Sequence, residues 1–117
     1  QELGVQAGQP RHPCLAALAA EMAARPLHED AATMAVRVRI SPSRLQHLCR
    51  SELGISLLAW RDRHLLAWAQ RLLADPAALA VKTVAGRLGF RDQRAFATWF
   101  RRRYGRAPGA WRKQERA

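Results

Sequence analysis

The chain has 117 residues, with 20 Lys and Arg against nine Asp and Glu and a formal net charge of +11. That length holds one or two small domains, and a composition of 49% hydrophobic residues with seven Gly and six Pro excludes a disordered basic tail or a collagen-like chain. The charge points to a polyanionic partner.

Residues 1–12, rich in Gln and Gly and containing Pro10, read as a linker or as the remnant of a longer protein, and Gln1 in place of an initiator Met agrees with an excised piece. Residues 13–24 read as a helix packed beneath the helices of residues 30–54. Their near-apolar run is broken by Glu21 and falls well short of the roughly 20 residues a spanning helix needs, so no membrane partner is expected. A short helix over 30–37 carries Ala31, Met34 and Ala35 inward. Ser41 then caps a second helix with Pro42 at its first position, Leu45, Leu48 and Cys49 form its buried stripe, and Gly54 closes it. Ser56 opens a long helix over 57–74, which Asp75-Pro76 ends. Eighteen residues span roughly 27 Å as a helix, comparable with the roughly 34 Å of one DNA turn.

Beyond it the same grammar returns. A short helix over 81–88 presents Val84, Ala85 and Leu88, and the turn Leu88-Gly89-Phe90 uses Gly89 for the positive φ that lets two helices cross steeply; the first copy has Arg39 there. Asp92 caps a helix whose buried stripe is Phe96, Trp99, Phe100 and Tyr104, with Gly105 at its end. A shift of 51 residues pairs Ser41 with Asp92, Leu45 with Phe96, Arg50 with Arg101, Gly54 with Gly105, Trp60 with Trp111 and Arg61 with Arg112, the mark of an internal duplication. All net charge lies in the two copies. Residues 37–64 hold six Arg against Glu52 and Asp62, residues 91–116 hold nine Arg and Lys against Asp92 and Glu115, and the remainder balances. The outward faces carry Ser43, Arg44, Gln46, His47 and Arg50 in the first copy and Arg94, Ala97, Thr98, Arg101 and Arg102 in the second, side-chain types that read bases and phosphates.

These residues resemble the DNA-binding domain of the AraC/XylS family of bacterial transcriptional regulators. Ile40-Ser41-Pro42-Ser43-Arg44-Leu45 with Leu53-Gly54-Ile55-Ser56 carry the resemblance in the first copy. In the second it rests on Val84 to Phe90, Phe96, Phe100 and Tyr104-Gly105-Arg106-Ala107-Pro108. The resemblance implies an all-α fold of about seven helices, with a first helix-turn-helix subdomain over 13–56 and a second over 75–117, joined by the linker helix over 57–74. It implies base-facing roles for Ser43, Gln46 and His47 in the first reading helix and for Gln93, Arg94, Ala97 and Thr98 in the second. Arg50 and Arg101 fall near phosphate. It also implies promoter DNA and RNA polymerase as partners, activation as the commoner role, and a separate N-terminal sensing or dimerisation domain outside this chain. Thr98 and Ala97 stand where family members often have Arg and a polar residue, so Arg94 and methyl contacts are expected to read there instead. Arg39 and Cys49 imply a strained or less tightly packed first copy.

Simpler roles compete for the same residues. Arginines such as Arg44 and the run Arg101-Arg102-Arg103 are expected at phosphate rather than at bases. Gln46 suits adenine and His47 guanine or phosphate, although both serve equally as surface residues. The four Trp, of which Trp60 and Trp111 repeat and Trp99 lies on the stripe, fit core packing better than stacking on single strands. His12, His28, His47 and His64 share no ligand spacing, Cys14 and Cys49 make no Cys-x-x-Cys pair, and no phosphate loop or nucleophile elbow occurs. No metal, cofactor or catalytic residue is therefore assigned, Cys49 reads as a structural thiol, and the bacterial cytoplasm, at the nucleoid, is the expected location. The alternative function is a nonspecific or architectural nucleic-acid-binding protein that uses the charge without reading sequence.

Overall fold

Most helices of the chain begin where a short polar side chain satisfies the first unpaired backbone N–H groups. In the computed structural model, which describes residues 10–26 and 28–116, there are seven: α1 (Pro13–Ala24), α2 (Ala31–Val38), α3 (Pro42–Leu53), α4 (Leu57–Leu73), α5 (Val81–Arg87), α6 (Gln93–Tyr104) and α7 (Pro108–Arg116). No strand occurs among the described residues. Asp30 Oδ1 accepts from Thr33 N at 2.8 Å, Ser41 Oγ from Arg44 N at 3.1 Å, Ser56 Oγ from Ala59 N at 3.1 Å and Asp92 Oδ1 from Ala95 N at 2.8 Å. α5 starts at Ala80 without a side-chain cap. Gly54 and Gly105 close α3 and α6 in the left-handed conformation, at φ 73° and 75°. The linker reading of residues 1–12 falls mostly outside the described residues. At its end, Arg11 and His12 both donate their backbone N–H to Glu52 Oε1, at 2.8 and 3.1 Å.

The chain divides into two compact units, Gln1–His64 and Leu65–Ala117. In the first, α1 packs on α2 and α2 on α3. Leu15, Leu18 and Met22 of α1 meet Met34 and Ala35 of α2, Leu45, Leu48 and Cys49 of α3, and Leu57 and Trp60 from the start of α4. Each of these Leu and Met side chains contributes about 1.5–3 kcal/mol when fully buried. Cys49 is completely buried in this core. Two arginines brace the segment that precedes α2. Arg37 grips Glu29 with two hydrogen bonds of 2.7 and 2.6 Å and reaches Glu21 at 3.3 Å. Arg61 donates to the Glu29 carbonyl at 2.8 Å and to the buried Asp62 at 2.8 and 3.1 Å.

The second unit packs α5 on α6 and α6 on α7. Leu65, Ala69 and Leu73 of α4 join Val84, Ala85, Leu88 and an aromatic cluster. Phe90 lies 5.3 Å from Phe96 and 5.2 Å from Trp99, and Phe96, Phe100 and Trp111 continue the cluster in edge contacts of 5.7 and 6.0 Å. All four tryptophans thus pack against a core, Trp68 only partly buried. Tyr104, expected on the buried stripe, is half-buried, because it ends α6 and leans on Phe100 at 4.7 Å from the outside of the cluster.

The turns between paired helices share one backbone plan. Ile40 N donates to Ala35 O at 3.3 Å, and Phe90 N to Ala85 O at 3.0 Å. Gly89 has φ 86°, and Arg39, its counterpart, has φ 61°. For a residue with a Cβ that conformation costs about 1–2 kcal/mol, so the strain expected in the first copy is located at Arg39. After the turn the copies differ by one residue: Ser41 caps α3 directly after Ile40, whereas Arg91 intervenes between Phe90 and Asp92.

Candidate nucleic-acid interface

An amphipathic helix that buries one stripe must display the opposite one. In α3, burial of Leu45, Leu48 and Cys49 leaves Ser43, Gln46, His47 and Arg50 on the outer face at the i, i+3, i+4, i+7 positions, all exposed, with exposed Arg44 beside them. In α6, burial of Phe96, Trp99 and Phe100 displays Arg94, Ala97, Thr98 and Arg101 at the same positions. Arg94, Thr98 and Arg101 are exposed, as are Gln93 and Arg102, while Ala97 is half-buried. Each tetrad is brought together by its own helix, and the 51-residue shift superposes them member by member. The two tetrads differ in chemistry. That of α3 has an arginine with a hydroxyl, an amide and an imidazole; that of α6 has two arginines, a hydroxyl and a methyl group.

Charge in the described residues is divided between internal and outward use. Arg37 and Arg61 are bound to acidic partners inside the first unit, and the Arg37 guanidinium holds the Glu29 carboxyl below its usual range, against the smaller opposing effect of burial. Arg103 lies over the Trp99 ring at 4.9 Å and donates to the Trp99 carbonyl at 3.2 Å, which sets it apart from Arg101 and Arg102. His64 packs edge-on against Trp60 at 5.8 Å, His12 caps α1, and only His47 lies on either tetrad. Among the described residues, no group of three or more His, Cys, Asp or Glu is arranged to hold a metal ion, and no helix is long and apolar enough to cross a membrane.

Beside the start of α6 lies a cleft of about 530 Å³, lined by Lys82, Ala85, Gly86, Phe90, Arg91, Asp92, Gln93 and Arg94. Lys82 and Arg91 are not among the residues singled out from sequence. Arg91 entered only as part of the second charge block; the signal that marks it is the one-residue change of repeat shift across the turn.

Residues 34–114 match the helix-turn-helix domain family. Over 85 residues the chain is 40% identical to the arabinose operon regulatory protein of Salmonella typhimurium, an alignment that covers 73% of this chain and 30% of that protein. The chain therefore spans about 30% of the length of this relative. Its fold superposes on the DNA-binding domain of AdpA, a global transcriptional factor solved with a target DNA, with a TM-score of 0.76, 31% identity and coverage of 91% and 95% of the two chains. An AraC-type regulator from Chromobacterium violaceum shares the fold at a TM-score of 0.70 and 23% identity, over 87% and 91% of the two chains. The chain belongs to the AraC/XylS family of DNA-binding transcriptional regulators, and its fold is that family's all-α pair of helix-turn-helix subdomains joined by a long helix. This is a class of DNA-binding regulators, not of enzymes.

Proposed function

We propose that this chain binds promoter DNA sequence-specifically in a bacterial transcriptional activator, with α3 and α6 as reading helices in adjacent major-groove segments. The observation that carries this reading is the outward tetrad that occurs twice, on the second helix of each helix-turn-helix pair. A fold that needed only positive charge has no reason to set Ser43, Gln46, His47 and Thr98 beside its arginines on these two exposed faces. In this reading Ser43, Gln46, His47, Gln93, Arg94, Ala97 and Thr98 face bases, and Arg44, Arg50, Arg101 and Arg102 meet phosphates. The subdomains run over 13–56 and 75–117, with 57–74 between them. RNA polymerase contact, a separate sensing or dimerising domain and a place at the nucleoid in the cytoplasm belong to the same proposal, and rest on the family.

Fluorescence anisotropy of a cognate and a scrambled duplex across a salt series tests it. A preference of roughly a thousandfold or more at near-physiological salt is expected. Equal binding to both, with a steep salt dependence, contradicts specificity and identifies a nonspecific or architectural binder, the reading that the +11 charge favours.

A further inference from the structure

Among the described residues, Arg39 is the one arginine held at a positive φ, at φ 61° and ψ 37°, in a turn whose sister position is glycine. Only its backbone has a structural task there, donating to the Ala35 and Val36 carbonyls, which a glycine performs equally well. Its side chain is exposed and makes no ion pair or hydrogen bond among the described residues, while Arg37, two residues before, is bound to Glu29 and Glu21. Glycine would make this turn without the strain, so an arginine kept there with a side chain that serves no internal contact points to an external one.

The sister turn shows why strain arises here. Its extra residue, Arg91, lies next to the Asp92 cap and is highly exposed, so the second unit holds both a relaxed Gly89 and an arginine before its helix. The first turn is one residue shorter, and an arginine ahead of the Ser41 cap must occupy Arg39 or Ile40. Ile40 is half-buried and packs against the core, which leaves Arg39. We propose that Arg39 binds a DNA phosphate where α3 begins and so fixes the register of that helix on the duplex. This inference rests on α3 facing DNA.

The test compares Arg39→Gly, Arg39→Gln and Arg39→Lys with the parent, measuring affinity for a random duplex against salt concentration together with the melting temperature. The Gly and Gln variants are expected to bind about threefold to tenfold more weakly, with a log–log salt slope shallower by about 0.9, and Lys is expected to keep the parental slope. The Gly variant is expected to melt no lower than the parent, since glycine adopts the turn without strain. Parental affinity and slope in the Gly and Gln variants overturn the proposal, as does a lower melting temperature for Gly, which makes Arg39 a folding residue. Parental binding without preference between cognate and random duplexes contradicts base reading alone, and leaves the slope comparison to decide on Arg39. A parent that binds no duplex overturns both.

Discussion

Arg39 and Gly89 hold the same position in two copies of one turn, both left-handed, at φ 61° and 86°. The hydrogen bonds that succeed them are also the same, from Ile40 N to Ala35 O and from Phe90 N to Ala85 O. The turn geometry is therefore imposed by the packing of two helices, and the residue that fills it bears the cost. Gly89→Ala is expected to destabilise the second unit by about 1–2 kcal/mol. Thermal melting followed by circular dichroism checks this, and a variant as stable as the parent contradicts it.

The cores predict a larger loss. Phe96 is completely buried against Phe90, Trp99 and Phe100, and Phe96→Ala should cost about 3–5 kcal/mol. Leu45, also fully buried, should cost about 2–5 kcal/mol in Leu45→Ala. Urea titrations measure both, and losses below about 1 kcal/mol would show that the helix phasing is wrong.

Stability should fall with acid in two stages. Burial pushes His64 below its ordinary value of 6.5, so the unfolded chain takes up that proton first, and stability declines as pH drops from about 6.5. Arg37 holds Glu29 below its ordinary 4.5, so the pair's contribution is present above about pH 4.5 and is lost as pH falls through the lower folded value. Denaturant midpoints from pH 7 to pH 3 test this. His64→Phe should remove the upper stage and Glu29→Gln the lower one; a midpoint that stays flat to pH 5 contradicts the His64 assignment, and one that stays flat to pH 3 contradicts both.

Cys49 fills in α3 the place that Phe100 fills in α6, and burial pushes its thiol up to about 11, with the charge of Glu52 adding a smaller push. Native protein at pH 8 should therefore modify Cys49 at a small fraction of the rate seen in urea, because the thiolate is the nucleophile. Mass spectrometry after brief alkylation reads this directly, and fast native labelling of Cys49 would contradict its reading as a structural thiol.

Much of the fold was legible in the residues. α1, the caps Ser41 and Asp92, the closing Gly54 and Gly105 and the internal repeat all arise from local chemistry, which acts within a few residues and leaves its mark at fixed spacing. What stayed hidden depends on which partner each side chain takes in the folded structure. Arg37 and Arg61 count as outward charge in the sequence but are bound to Glu21, Glu29 and Asp62, over separations of up to 32 residues. Arg103 looks equivalent to Arg101 and Arg102 until Trp99 claims it. The different settings of Arg39 and Arg91 turn on a one-residue difference in turn length, which a constant 51-residue shift conceals. The outward tetrads were found because burial of one stripe fixes the other, whereas the half-burial of Ala97 is set by tertiary packing that helical spacing alone does not reveal.

Arg94 should separate reading from gripping. Arg94→Ala is expected to cost about 1–3 kcal/mol on a cognate duplex and little on random DNA, whereas Arg50→Ala and Arg101→Ala should weaken both equally and reduce the salt slope. Isothermal titration on the two duplexes distinguishes them; uniform weakening by Arg94→Ala would reassign it to phosphate.

Selection of binding sites from randomised duplex DNA at near-physiological salt tests whether the two tetrads read sequence. Two reading helices should enrich a site with two blocks whose centres lie about 10 base pairs apart, one for each helix. A single enriched block would restrict reading to one helix, and no enrichment, with binding that vanishes at higher salt, would contradict sequence reading outright.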